Sequence, residues 1–493
     1  MKRILDTVHG YIMVDEKFIC HIIDTPLFQR LRRVEQTSIR AVYPSARHDR
    51  FIHSLGVFHI GSLIVNQLKT DAVANKNWNE TDATLEKVYG SYLAACLLHD
   101  IAHAPFSHSF ESYYGQKRIL AEELKNAIKK KSFSKDLDKI IIIDEPNFHE
   151  YASAYLVVKE YKNTLTQLGY DTELVARMIT GVFYDKEKSV HQIHNCFISL
   201  LHGKVIDADR LDYACRDVWA SGYCTSKIDL RRLVSALHIK KKDDDYVVCF
   251  ESNSLNEIDG VLNVKDFQTK FVINHHTVVY EQHLLQQAAE KAAMYFFPAE
   301  NDKEKDNPGF VALNKIVNVK SLYDEVRTKT GNLSIRLLSD DDLVFLMKQT
   351  PDNDYYNEWS SRSYSRFALW KSKDEFHHYF PSVSKNTTLA NNNFGQTIKN
   401  ALKEKGYEEN DVQINEIKFK CRVPLKSLYL VVANDVVRYT DIKGEDEERK
   451  DIVFYYVFIT KKKCKTADEV KHERNELIEI LKKPLEDLYK EIQ

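Results

Sequence analysis

Glycine and proline are scarce in this 493-residue chain, at 15 and 10 residues, which excludes collagen-like and low-complexity architectures. No stretch reaches the ~18 uninterrupted apolar residues of a membrane span, and the amino end, MKRILDTVHGYIMVDEKF, has no apolar signal-peptide centre. Charge of neither sign is in excess. The 70 Lys+Arg against 72 Asp+Glu leave a net charge of -2, so no global positive field gathers nucleic acid or anionic lipid, and neither partner is expected. The eight cysteines (Cys20, Cys96, Cys196, Cys215, Cys224, Cys249, Cys421, Cys464) include no CxxC pair. That excludes a thiolate zinc ribbon and reads as reduced thiols in a cytoplasmic protein.

What is present is globular: 43% hydrophobic, 29% charged and 11% aromatic residues. At roughly 150 residues per domain the length suggests about two to four units. Residues 1 to about 300 read as helical. From Ala83 to Leu98 the positions Leu85, Val88, Tyr92, Leu93, Cys96 and Leu97 recur at helical steps, and Val57, Ile60, Ile64 and Leu68 form a similar stripe after His53, where Gly56 and Gly61 allow close backbone approach. The lysine-dense run 125–139 reads as a solvated loop or short surface helix, with a functional basic patch as the alternative. The charged segment 299–310, closed by Pro308 and Gly309, marks the boundary. Beyond it, KCRVPLKSLYLVV and DIVFYYVFIT read as an antiparallel strand pair, and Ala467 to Ile492 as a helix. The fold class is mainly α, a helical bundle over 1–300 with a smaller α+β lobe over 301–493.

The most informative string is LLHDIAHAPFSHSFE, residues 97–111. His99-Asp100 at the end of a buried helix offers an imidazole nitrogen and a carboxylate oxygen to one point, a donor mixture that suits Zn, Fe, Mn or a similar divalent ion. RFIHSLGVFHIG adds His53 upstream, and VIDADRLDYACRD adds Asp209 downstream. The order H…HD…D supplies two imidazoles and two carboxylates while leaving positions open for water and a phosphate oxygen.

That combination resembles the HD-domain phosphohydrolases. LDTVHGYI, IIDTPLFQRLRRVEQ, RFIHSLG, HDIAHAPFSHSFE, ADRLDYACRD and VVYEQH narrow the resemblance to the deoxynucleoside triphosphate triphosphohydrolases, both the bacterial deoxyguanosine triphosphatase group and the animal SAM-and-HD-domain enzyme. It covers 1–115, returns around 148–153, 204–224 and 270–285, and fades in the carboxyl third. The resemblance implies a divalent metal (Mg, Mn, Fe, Zn or similar) on His53, His99, Asp100 and Asp209. Water attacks the α-phosphorus of a deoxynucleoside triphosphate and inorganic triphosphate leaves. It also implies catalytic roles for Arg50, His103, His108, Glu111 and His149. His108 oriented by Glu111 is the general acid of choice and His149 the second, because the departing 5′-oxygen needs a proton. Arg50 and Arg210 would meet the phosphates, and Gln36, Thr37, Tyr213, Asp217, His276 and Tyr280 the sugar side. Asp209, Tyr213 and Asp217, four residues apart, share one helix face.

Several positions depart from the animal enzyme: Glu111 replaces a shorter Asp, Thr37 a leucine, and Val272 a phosphate-binding arginine, for which Lys265 or Lys270 is a substitute. Asp24, Gln29 and Arg32 match residues that read an activating nucleotide at a subunit interface, so nucleotide-dependent homo-oligomers, dimer or tetramer, are expected. No SAM domain is expected ahead of the HD region. Two other readings compete, an HD phosphohydrolase acting on another nucleotide and a nucleotide-gated sensor subunit.

Overall fold

The computed structural model describes residues 1–75, 82–143, 145–185, 189–223, 228–298, 307–328, 333–383, 393–419, 424–444, 452–464 and 466–490. Most of them are helical, as the sequence periodicity predicts. The chain divides into two units, each built from separated stretches. The first comprises Met1–Lys265, Ala289–Thr350 and Val423–Asp446; the second Asp266–Ala288, Pro351–Arg422 and Glu447–Gln493. Of the boundary segment expected at 299–310, residues 299–306 lie outside the described ones.

In the first unit the helix Arg50–Asn75 is central, packed against Asp82–Leu98 on one side and Ala208–Ser221 on another. Leu55, Val57, Ile60 and Leu68 are fully buried. Two glycines set the approach of its neighbours. A Cβ on Gly61 would lie 2.7 Å from Cys96 Sγ, and one on Gly56 only 1.9 Å from Asp212 Oδ1, so the missing side chains are what let both partners close in. Among the described residues this is the one helix long and apolar enough to cross a membrane, and most of that stretch is buried inside the protein.

In the lysine-dense run 125–139 the surface-helix reading holds and the loop reading does not. The run spans parts of the helices Lys117–Ile128 and Lys131–Ile143, with Phe133 and Leu137 fully buried and Asp136 accepting from the buried Arg177. The sparse apolar positions concealed an amphipathic pair whose lysines face outward.

The expected strand pair is also corrected. Tyr429–Val432 pairs antiparallel with Asp435–Arg438 and parallel with Asp245–Glu251, which in turn pairs with Leu237–Lys242, all in the first unit. Ile452–Thr460 lies in the second unit, between Arg366–Ala368 and Val412–Phe419. The reason is local: Ala433 and Asn434 both take positive φ (49° and 79°), so the chain reverses after Val432 and the following residues become the partner strand. The second unit closes its own core around Trp370, Phe376, Phe380, Phe454 and Leu481, with the helices Phe394–Lys403 and Ala467–Lys490 packed together.

Candidate metal centre

His53 occupies the first turn of Arg50–Asn75, His99 and Asp100 follow the last turn of Asp82–Leu98, and Asp209 stands in the first turn of Ala208–Ser221. Asp207 caps that last helix by accepting from the Arg210 amide at 2.7 Å. Helix packing therefore delivers all four expected ligands to one place. His53 Nε2 lies 3.3 Å from His99 Nε2 and 3.0 Å from Asp209 Oδ1, and His99 Nε2 lies 3.7 Å from the same oxygen. Asp100 faces both imidazoles, at 3.5 Å from His53 and 3.4 Å from His99.

These separations suit a divalent ion. Donors each ~2.0–2.2 Å from a shared ion stand about 3 to 3.6 Å apart. The tautomers point the same way. His99 Nδ1 donates to the Cys96 carbonyl at 3.0 Å, and His53 Nδ1 lies 2.7 Å from Asp212 Oδ2, so in the neutral imidazoles both Nε2 lone pairs face each other. A cation between them removes that repulsion. With no cation, burial lowers the basicity of His53, but the hydrogen bonds to Asp209 and Asp212 and the nearby Asp100 outweigh it and raise its pKa to about 10. The fully buried Asp100 is nonetheless held well below the usual carboxylate range by Arg50 and the adjacent histidines.

A second group adjoins the first. Glu111 Oε1 lies 2.9 Å from His103 Nδ1, 3.0 Å from His108 Nδ1 and 2.9 Å from His149 Nδ1. These four meet the spacing of a metal-holding set, as do His53, His99 and Asp209, a trio that Asp100 does not join. The contacts are short but poorly aligned for hydrogen bonding. His103 stacks on His149 at 4.0 Å and reaches Asp100 Oδ1 at 3.2 Å, joining the two groups. Burial, Arg50 and His149 lower the His103 pKa to about 4. His149 is raised to about 9, because Glu111 outweighs its burial. His108 is the exposed member, with 68% of its side chain accessible.

The loop carrying this group is strained: Phe106 and Ser107 both have positive φ, 53° and 52°. Three contacts hold it. Asp340 accepts from the Phe106 amide at 2.7 Å, Arg50 Nε donates to Ser107 Oγ at 2.8 Å, and Ser107 Oγ donates to the Glu35 carbonyl.

Arg50 is committed to the site, donating to Asp100 Oδ2 at 2.6 Å and to the Gln36 carbonyl at 3.1 Å. Gln36 Oε1 and Thr37 Oγ1 are buried without partners. Arg210 donates to Asp207 and the Gly203 carbonyl, and Asp217 pairs with His48 at 2.7 Å. Burial raises the pKa of Tyr213, one helical turn past Asp209. His276 and Tyr280 belong to the second unit, where the Tyr280 hydroxyl donates to Glu358 at 2.5 Å and its ring packs on Tyr364 and Phe458. Arg32 Nε donates to Gln29 Oε1 at 2.8 Å and its guanidinium stacks 3.6 Å from the Phe51 ring, while Asp24 stays exposed.

Sequence reasoning missed Asp212. Fully buried, it is contacted by His53, by His9 at 2.6 Å and by Arg216 Nε and Nη2 at 2.8 and 2.9 Å, and Arg216 also donates to Asp6 at 2.9 Å. The signal was present in LDTVHGYI and DRLDYACRD, where Asp212 and Arg216 stand one helical turn apart.

The HD domain family matches residues 50–214, the stretch that holds all four expected ligands and the Glu111 group. An uncharacterised protein of Mycoplasma pneumoniae is 30% identical over 261 residues, 52% of each chain. The deoxynucleoside triphosphate triphosphohydrolase SAMHD1 of Gallus gallus is 27% identical over 308 residues, 62% of this chain and 47% of its own. The chain spans about half the length of the curated relatives it matches. Two solved structures share its fold: a hypothetical protein from Aquifex aeolicus (TM-score 0.60, 19% identity, 98% of this chain and 100% of the other) and a phosphohydrolase from Bacteroides thetaiotaomicron (TM-score 0.59, 20% identity, 93% and 99%). The H…HD…D residues converge inside residues 50–214, the stretch that matches the HD domain family.

Proposed function

We propose that this protein is a metal-dependent triphosphohydrolase that converts deoxynucleoside triphosphates to the deoxynucleoside and inorganic triphosphate. The observation that carries the reading is the adjacency of two groups: His53, His99 and Asp209 spaced for a divalent ion with Asp100 facing both imidazoles, and the imidazole cluster on Glu111, linked through the contact of His103 with Asp100. A divalent ion held there supplies an acidified water and polarises a phosphoryl oxygen. Everything else falls to side chains.

Asp212 and the Cys96 carbonyl fix the two imidazoles with Nε2 toward the ion. Arg50, anchored on Asp100, puts a permanent positive charge beside the position of the α-phosphate, and Arg210 adds a second. His108 has Nδ1 against Glu111 and the rest of its ring exposed, so its Nε2 is available to deliver a proton to the departing 5′-oxygen. The unpartnered Gln36 and Thr37, with Tyr213 and the His48-held Asp217, are the sugar contacts in this reading. His276 and Tyr280 enter it through the resemblance. Assembly driven by a nucleotide at Asp24, Gln29 and Arg32 is part of the same proposal, and a mass unchanged across a nucleotide panel would count against it.

The test is anion-exchange analysis of the products from each of the four deoxynucleoside triphosphates, with several divalent metals and with and without a second nucleotide. Inorganic triphosphate supports the reading. Orthophosphate, pyrophosphate or no turnover overturns it.

A further inference from the structure

Three consecutive aspartates, Asp340, Asp341 and Asp342, open the helix Asp340–Gln349 of the first unit. Acidic residues suit the positive end of a helix, and ordinary roles account for two of them. Asp342 closes a capping box, accepting from the Ser339 amide at 2.8 Å and from its hydroxyl at 2.7 Å. Asp341 points to solvent, where it pairs with the exposed Arg33 at 3.1 Å. Asp340 does neither. Its Oδ1 accepts from the Phe106 amide at 2.7 Å and its Oδ2 from the Glu35 amide at 2.8 Å, so one carboxylate ties together two segments distant in the chain.

Both segments lead into the site. Glu35 precedes Gln36 and Thr37, the sugar contacts in the hydrolytic reading, and Phe106 with Ser107 precedes His108, its proton donor. Phe106 and Ser107 are successive non-glycine residues at positive φ, 53° and 52°, a conformation that contacts from outside must hold. The tether is itself fixed. Leu337 takes a positive φ of 53°, Leu338 is fully buried, and the buried Arg30 donates from Nε to the Leu338 carbonyl at 2.5 Å and from Nη2 to the His103 carbonyl at 2.7 Å. Through Arg30 and Asp340 the start of this helix is joined to the loop at both His103 and Phe106.

We infer that Asp340 is a positioning residue that holds the His108 loop and the Gln36 loop at a fixed separation, and so governs turnover while touching neither metal nor substrate. What turnover reports rests on the hydrolytic reading; the double tether does not. A proton reaches the departing 5′-oxygen only if sugar and donor are held in register, and a misplacement of about 1 Å costs up to about 10²-fold in rate. Asp340 contacts Phe106 and Glu35 rather than His53, His99, Asp100 or Asp209, so metal content should not depend on it.

Hydrogen exchange read by mass spectrometry and steady-state kinetics, both on the full-length protein, test it together. Asp340→Ala removes both acceptors and Asp340→Asn keeps one, while Asp341→Ala, on the same helix turn, is the control. In Asp340→Ala, exchange at the Glu35 and Phe106 amides should each accelerate about tenfold or more. Its kcat for the deoxynucleoside triphosphate that the parent cleaves should fall about 10²-fold, with a smaller change in KM and bound metal at the parent level. Asp340→Asn should recover part of kcat, and Asp341→Ala should match the parent throughout. Thermal unfolding checks that each variant is folded at the assay temperature; if Asp340→Ala is not, Asp340→Asn must show faster exchange in at least one segment and a lower kcat. Exchange at the parent rate in both segments overturns the tether, and a folded Asp340→Ala with parent kcat overturns its role in turnover. Should the parent release no triphosphate, the hydrolytic reading fails and the exchange result alone decides the tether.

Discussion

Gly56→Ala sets two effects of opposite sign against each other in one methyl group. Within a helix, alanine is favoured over glycine by about 0.8–1 kcal/mol, so propensity alone predicts a more stable protein. The structure predicts the reverse, since the new Cβ would stand 1.9 Å from Asp212 Oδ1 and 2.5 Å from Arg216 Nη2, inside any allowed contact. Neither group can yield cheaply. Asp212 is fully buried and contacts Arg216 twice, His53 and His9, all at 2.6–2.9 Å. Disrupting a buried charge pair costs about 3–5 kcal/mol, which leaves a net loss of about 2–4 kcal/mol after the helix gain. A displaced Asp212 also releases the ring of His53, and loss of such an orienting partner lowers metal affinity about 10–100-fold. Urea unfolding measures the first effect and chelator competition the second. Gly260→Ala is the control, because nothing lies within 4 Å of its new Cβ and it should be stabilising by up to about 1 kcal/mol. If Gly56→Ala gains stability like the control and holds metal as tightly as the parent, the proposed role of Asp212 is wrong.

Glu111→Gln should reduce hydrolysis by about 10²-fold or more while metal content stays at the parent level, because the contacts of Glu111 run to His103, His108 and His149; loss of metal instead would show that the two groups are one site. Arg177→Met should destabilise by about 3–5 kcal/mol in urea, since it leaves the buried carboxylates of Glu173 and Asp136 without their shared cation. Acid should weaken the fold through histidines buried in neutral form. Burial, with His191 beside one and Arg366 beside the other, lowers His194 and His283 from 6.5 to about 4. The unfolded chain therefore binds protons first, and stability present above pH 6.5 is lost as pH falls toward 4. The loss is about 2.5 kcal/mol for each at pH 4.5. His194→Gln/His283→Gln should flatten that slope, and an unchanged slope would refute the assignment.

The ligand set was legible because each member sits in a short motif at a helix end, and the order H…HD…D survives whatever lies between. Its support was not. Asp212 meets His9 across 203 residues of sequence, and one-turn Asp–Arg spacings such as Asp212–Arg216 are too common in helices to single out. The helices were readable from apolar periodicity, whereas strand partners were not, since a β-branched run fits any edge. The turn at Ala433–Asn434 lacks the glycine that announces such a reversal, so its two short strands were read as part of a longer pairing. The interleaving of the two units left no mark either, because both draw on the same kinds of helix and strand.

The claim on which the rest depends is that His53, His99, Asp100 and Asp209 share one divalent ion. Crystals soaked in manganese and measured for anomalous scattering test it directly. The account predicts a peak about 2.0–2.3 Å from His53 Nε2, His99 Nε2 and an Asp209 oxygen, absent in Asp209→Ala. Full occupancy elsewhere with nothing between those two imidazoles would contradict it.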